Sequence, residues 1–247
     1  MKRLLIVMAH PDDESFGPSG TLALYANQGV DVHLLCVTNG DASETVIAGQ
    51  ASLSTKARKK ALTLTRQQEV KRAAAIIGIS HIDFLNYPDG QLCNALYHAI
   101  AKQIIDKIDY FSPQVIIAPE PQGITGHLDH IAVSMITTYA FLHSLHAKKL
   151  YYVCLPQSIV NLTEHENYFV YFPPGYTDAA ITTRIDYSLF EHKKIAAMQQ
   201  HVSQLTDASY LIDRMKSTPK VDHFILAKHR DCEVMLPEND LFAGLDE

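Results

Sequence analysis

The stretch LLIVMAHPDDE, residues 4–14, decides how the rest of the chain is read. Its apolar run, Leu4 to Ala9, has the length of a buried strand, and it leads directly into His10, Pro11 and three acids, Asp12, Asp13 and Glu14. A strand apolar on both faces belongs inside a parallel sheet covered by helices. Ligands of such sheets bind outside the carboxyl ends of the strands, so the charge after Ala9 is delivered to a site.

The same alternation continues along the chain. GTLALYANQG (20–29) reads as helix and VDVHLLCVTNG (30–40) as strand, which completes a βαβ unit. TRQQEVKRAAAIIGI (65–79) sets Val70, Ala73, Ala74 and Ile77 on one helical face, and HIDFLNYPDG (81–90) follows as strand and turn. NALYHAIAKQIIDKIDYF (94–111) is an amphipathic helix, QVIIAPE (114–120) a buried strand, and HLDHIAVSMITTYAFLHSL (127–145) a helix. KLYYVCLP (149–156) reads as strand, SLFEHKKIAAMQQHVSQ (188–204) as helix and DHFILAKHR (222–230) as a late strand. The pattern predicts an α/β fold with a mostly parallel sheet covered on both faces.

Two segments break this rhythm. Residues 41–62 form a long crossover rich in small and polar residues, which suits either a lid beside the strand ends or a surface helix with KARKK as its solvated face. Residues 157–187 contain the adjacent Pro173 and Pro174 and read equally as a pocket wall or an edge hairpin.

Bulk properties narrow the function. Domains cluster around ~100–150 residues but α/β units often run to ~250. With no repeat, low-complexity stretch or linker to divide it, the chain of 247 residues is expected to be one domain over 1–247. A formal charge of −6 offers no basic field for nucleic acid. Cys36, Cys93, Cys154 and Cys232 are widely spaced with no CxxC pair, as free thiols of a reducing compartment would be. The apolar start is too short for a signal peptide, and no run approaches the ~20 apolar residues of a membrane helix. A cytoplasmic protein without stable membrane insertion is expected; homo-oligomerisation is left open.

A second charged cluster, His127, Asp129 and His130, follows the strand QVIIAPE after a loop containing Gly123 and Gly126. His10 and Asp13 are three apart where the chain enters a helix, and His127 and His130 are three apart on a helical turn, so each pair can point one way. Four acids at one place repel each other unless a cation joins them. Histidine and aspartate are typical zinc donors, and three protein ligands with one open position are the usual catalytic form. With Asp13 on the metal, the diverging side chain of Asp12 would face the water as general base. His127 could stabilise the oxyanion or protonate the leaving amine. Asp129 could hold its tautomer, or simply complement the dipole of the helix it begins.

AHPDDESFGPSGTLA together with GHLDH resembles the LmbE/PIG-L family of metal-dependent de-N-acetylases, whose signature is an AHPDDE block followed much further along by HxDH. The likeness extends through TRQQEVKRAAAIIG, LNYPDG, EHKKIAAMQQHVSQ and DLFAGL, so it spans nearly the whole chain. Leu128 departs from the proline common in relatives, a change in turn stiffness and not in ligand chemistry. The resemblance implies a Rossmann-like three-layer sandwich and Zn²⁺, with Fe²⁺ as the alternative, held by His10, Asp13 and His130. It also implies Asp12 as base, His127 as acid or electrostatic partner, and an N-acetylglucosamine conjugate as the small-molecule substrate. Arg66, in an RxxE pattern with Glu69, looks like a substrate-contacting arginine, and Asp89 of YPDG like an acceptor for sugar hydroxyls. An ion pair and a turn residue are their respective alternatives. His201 and Gln204 of HVSQ are expected to line the pocket.

Other readings are a deacylase of an acylated natural-product sugar and a non-catalytic metal-dependent sugar-binding or regulatory protein. The latter has no need of Asp12, His127 and Asp129 together. A nucleotide-dependent oxidoreductase is disfavoured, because HPDDESFGPSG lacks GxGxxG and puts acids where a pyrophosphate would sit.

Overall fold

The computed structural model describes residues 1–42, 54–160 and 172–245. Among the described residues, seven strands, β1 (Arg3–Met8), β2 (Asp31–Thr38), β3 (His81–Tyr87), β4 (Val115–Pro119), β5 (Lys149–Cys154), β6 (Thr183–Asp186) and β7 (Val221–His229), form one sheet in the order β3-β2-β1-β4-β5-β7-β6. Strands β3, β2, β1, β4 and β5 pair in parallel, and β7 runs antiparallel between β5 and β6.

The helices are α1 (Asp13–Phe16), α2 (Ser19–Asn27), α3 (Thr55–Ile77), α4 (Tyr97–Phe111), α5 (Gly123–Gly126), α6 (Leu128–His143), α7 (Glu191–Met198) and α8 (Leu205–Met215). The side-chain alternation of β1 divides the core in two. Leu4, Ile6 and Met8 pack with Leu22 of α2 and with Val70, Ala73 and Ile77 of α3. Leu5, Val7 and Ala9 pack on the other face with Ile100, Ile104 and Ile108 of α4 and Val133 and Ala140 of α6. The expected three-layer α/β arrangement is what the chain adopts. Among the described residues, no helix is long and apolar enough to cross a membrane.

Helix α3 begins ten residues before the expected helix, with Ser54 as N-cap accepting from the Ala57 N–H. It ends at Gly78, whose φ of 98° supplies the left-handed turn that a side chain resists. The lysines and arginine of KARKK are exposed on the first turns of α3, as the solvated face of a surface helix would be; residues 43–53 of the proposed lid lie outside the described residues. In the other irregular segment, Thr183–Asp186 supplies the edge strand β6, and 161–171 lie outside the described residues.

The single helix expected over 188–204 is interrupted. A 3-10 turn at Ser188–Phe190 precedes α7, another at Val202–Gln204 follows it, and α8 was not anticipated. Polar contacts account for the break. His201 turns inward to Glu14, and the Ser203 N–H and hydroxyl both donate to Glu69, at 2.9 and 2.6 Å. Buried donors and acceptors must be paired, and here that requirement overrides helical periodicity.

Beneath β5 lies a buried ionic knot. Lys149 Nζ donates to Glu238 Oε1 (2.5 Å) and to the Ala243 carbonyl (2.6 Å), and Tyr151 donates its hydroxyl proton to Glu238 Oε2 (2.5 Å). This ties residues 238–243 to the sheet. Lys149→Ala would strand the Glu238 carboxylate in the core, at about 3–5 kcal/mol. We expect thermal unfolding to fall by roughly 6–20 °C. The double variant Lys149→Met, Glu238→Leu should recover most of that loss. A single variant that melts with the wild type would mean that the pair contributes no stability.

Candidate active site

Strand order reverses at the centre of the sheet, where β2 lies on one side of β1 and β4 on the other. This switch point opens a crevice at the carboxyl ends of the strands. Both charged motifs arrive there, one after β1 and the other from the loop after β4.

After β1, the Asp12 and Asp13 N–H groups turn back onto the His10 carbonyl, at 3.1 and 3.3 Å, and α1 begins. The Asp13 carboxylate accepts the His10 main-chain N–H at 2.7 Å, which fixes it beside the imidazole. After β4, Glu120 accepts the N–H groups of Gln122 (2.6 Å) and Ile124 (2.5 Å) and the Tyr176 hydroxyl (2.6 Å). It thereby braces the loop into α5, where Ile124 holds a φ of 61° that β-branched residues disfavour. The Gly123 carbonyl of that loop accepts from His130 Nδ1 at 3.0 Å. His127 caps α6, its Nδ1 accepting the Asp129 N–H at 3.2 Å.

Three of the expected ligands meet. His10 Nδ1 is 3.1 Å from His130 Nε2, Asp13 Oδ1 is 3.2 Å from His130 Nε2, and Asp13 Oδ2 is 3.5 Å from His10 Nδ1. The bond to Gly123 puts the His130 proton on Nδ1, so Nε2 presents a lone pair to this meeting point. Two ring nitrogens and a carboxylate in such proximity are a donor set that could hold a cation. The donor types suit zinc or a similar ion, and the outer bond on His130 is the usual support of a metal-bound histidine. His10, His127 and His130 also bring one nitrogen each within 4.8 Å of one another, which makes His127 a competing third ligand.

The far edge of His10 faces acids. Its Nε2 lies 3.1 Å from Asp89 Oδ1 and 3.4 Å from Asp129 Oδ2, within ion-pair distance of both carboxylates. Burial pushes the His10 pKa down, but Asp129, Asp13 and Asp89 outweigh it and raise it well above the ordinary value. Burial likewise opposes ionisation of Asp13, and His130 and His10 still hold its carboxyl well below the usual range. Asp12 goes the other way, pushed up to about 6 by burial against the pull of Arg66, with Asp13 adding to the rise. His127 is lowered, by burial first and then by His10 and His130.

Three of the expected site residues are engaged with buried partners. Arg66 is buried: Nη2 donates to Asp12 Oδ2 (2.7 Å) and the Pro11 carbonyl (3.0 Å), and Nη1 to the Gly40 carbonyl (3.0 Å). It is buried as the ion-pair partner of Asp12, the alternative expected for it. His201 is 0% exposed and lines no opening, because its Nε2 meets Glu14 and Ser15, both at 3.0 Å. The Asp129 carboxylate is taken up by the Gly90 and Leu92 N–H groups, at 2.7 and 3.0 Å, and faces His10; it is its main-chain N–H that reaches His127. Asp89 is placed at the site, against His10 and with Arg66 Nη1 at 3.8 Å. Gln204 is half-buried and bonds the Ser203 carbonyl.

Two residues were assigned no role from the sequence. Glu120 braces the loop that orients His130, and its only sequence signal is an acid ending a buried strand. Glu14 is fully buried against His201, and its signal is an acid with no place on the metal.

The family described as PIG-L, GlcNAc-PI de-N-acetylase, matches residues 5–141. A 1D-myo-inositol 2-acetamido-2-deoxy-alpha-D-glucopyranoside deacetylase of Actinosynnema mirum is 30% identical, over 98% of this chain and 97% of the relative. Among solved structures, the N,N'-diacetylchitobiose deacetylase of Pyrococcus horikoshii aligns with a TM-score of 0.68 at 19% identity, covering 90% of this chain and 82% of that one. The 4-carboxy-2-hydroxymuconate hydratase of Pseudomonas putida, GalB, aligns with a TM-score of 0.69 at 17% identity, over 95% of this chain and 100% of that one. The two structures share the fold while catalysing different reactions, so the reaction must be argued from the site.

Proposed function

Because the chain belongs to the PIG-L family of de-N-acetylases, we propose that it is a single-domain, metal-dependent deacetylase spanning 1–247 that hydrolyses the acetamide of an N-acetylglucosamine conjugate. The observation that carries this reading is the meeting of His10 Nδ1, His130 Nε2 and the Asp13 carboxylate within 3.5 Å, beside a carboxyl, Asp12, raised to about 6. In this reading His10, Asp13 and His130 hold Zn²⁺, with Fe²⁺ as the alternative. The four unpaired cysteines support a reducing compartment such as the cytoplasm.

A divalent ion in that position supplies Lewis acidity toward the acetyl carbonyl and the attacking water. Asp12 takes the proton from the water as its oxygen bonds to the carbonyl carbon. A carboxyl poised near neutral pH does this well and can return the proton to the departing nitrogen as the C–N bond breaks. Arg66 holds Asp12 in place through its bond of 2.7 Å. His127 remains neutral, and because Nδ1 accepts from Asp129, its proton sits on Nε2. It therefore acts as a hydrogen-bond donor to the developing oxyanion, so of its two expected roles the electrostatic one fits better. Asp129 and Asp89 orient His10 as outer partners. The products are acetate and a free amine.

The test is release of acetate and amine from N-acetylglucosamine, its inositol and malate glycosides, and diacetylchitobiose. The chelated protein should be inactive on all of them, and restored metal should return activity on at least one. Release that survives complete chelation would overturn the metal-dependent reading. No release from a protein holding one metal would favour an acylated natural-product sugar or a non-catalytic role.

A further inference from the structure

We propose that His201 is a positioning residue for Asp12: it ties α1, the helix that Asp12 begins, to α3, the helix that supplies Arg66. The role of Asp12 itself rests on the deacetylase reading above. Helix α1 is a single turn, and its N-cap, Asp12, makes no side-chain capping bond, so few bonds of its own hold it in place. What fixes it comes from the far part of the chain. His201 Nε2 lies 3.0 Å from both Glu14 Oε1 and Ser15 Oγ, and Ser15 donates its hydroxyl proton to the same Glu14 oxygen at 2.8 Å. The Nε2 proton therefore serves both acceptors. His201, Glu14 and Ser15 are fully buried, so water offers them no other partner. Lys194, seven residues before His201, donates to the Gly17 carbonyl and closes the end of α1.

The turn that carries His201 is itself anchored to α3. Two residues on, the Ser203 N–H and hydroxyl hold the two carboxylate oxygens of Glu69, at 2.9 and 2.6 Å. Glu69 stands three residues after Arg66 on α3, and Arg66 Nη2 donates to Asp12 Oδ2 at 2.7 Å. Asp12 is thus supported from two sides, by its own helix and by Arg66, and the segment from His201 to Ser203 sets one support against the other. Stability alone does not require such bonds, since apolar side chains of similar volume often replace a buried ion pair without loss. Apolar contacts are non-directional, however, and a shift of about 1 Å at a reacting group can cost about 10²-fold in rate.

The experiment compares the metal-loaded wild type with His201→Leu, His201→Gln and the double variant Glu14→Leu, His201→Leu. On a glycoside that the wild type deacetylates, His201→Leu should lower kcat by about 10²-fold and leave KM nearly unchanged. A glutamine amide can donate from close to the place of Nε2, so His201→Gln should recover most of that loss. The double variant decides between positioning and mere stability. With both partners apolar it should melt close to the wild type and yet keep the low kcat. A double variant that regained turnover along with stability would overturn the proposal. Should no glycoside be turned over, hydrogen exchange reads the turn directly and independently of the deacetylase reading. Amides of residues 10–17 should then exchange about tenfold faster in the double variant, with those of β1 unchanged. Equal exchange of residues 10–17 in the two proteins would overturn it.

Discussion

Asp12→Asn is expected to lower kcat by about 10²–10⁴-fold, the contribution of a positioned general base, while the protein keeps one metal per chain. Asparagine is the informative replacement. Arg66 Nη2 donates to Asp12 Oδ2 at 2.7 Å, and an amide oxygen in that place can still accept the bond. Alanine would instead leave a buried guanidinium short of an acceptor, and its loss of activity would mix chemistry with a disturbed fold. Retained metal content is therefore part of the expectation, while the melting temperature should fall, because the buried Arg66 keeps its acceptor but loses its countercharge. A variant turning over at more than half the wild-type rate would remove Asp12 from the mechanism.

His130→Ala should weaken metal binding by more than about 100-fold, the upper end of what loss of an outer partner costs, and abolish turnover with it. His127→Ala should keep the metal and lose activity alone. The pair of variants separates two ligand sets that the geometry allows, since His127 also brings a nitrogen within 4.8 Å of those of His10 and His130. Two observations favour Asp13 over His127 as the third ligand. Its carboxylate reaches both imidazoles, at 3.2 and 3.5 Å, and the His10 main-chain N–H holds it there at 2.7 Å. Metal content measured after dialysis decides the matter. Loss of metal from His127→Ala with retention in His130→Ala would reassign the centre.

How much of this was legible beforehand depended on the range of the interaction. Leu4 to Ala9 is buried on both faces, so its strand character stood in the sequence without help from elsewhere. His10 with Asp13 and His127 with His130 are each three apart, and a turn or helix converts that spacing directly into proximity. The direction of β7 was not legible, because an apolar run reads the same whether it pairs in parallel or antiparallel. Nor was the true partner of Arg66, since Asp12 lies 54 residues away. The partners of the Asp129 carboxylate were not legible for a related reason: it binds the main-chain N–H groups of Gly90 and Leu92, donors with no side-chain signature at all. The contact of His201 with Glu14 was not legible, because an inward turn after α7 cannot be told from a continued helix by periodicity when its partner sits 187 residues earlier.

The knot of Lys149, Tyr151 and Glu238 bears on how the molecule is made. Lys149 and Tyr151 belong to β5, and β5 is laid against β4 in the middle of the sheet. The ammonium and the phenol cannot give up their hydration until a carboxylate that is translated 89 residues after the lysine has left the ribosome. A nascent chain can thus assemble the βαβ half that bears His10, Asp12 and Asp13 while β5 still waits, half-wetted, for its counterion. Synthesis, on this view, completes the scaffold under the HPDD turn before it completes the scaffold's far edge.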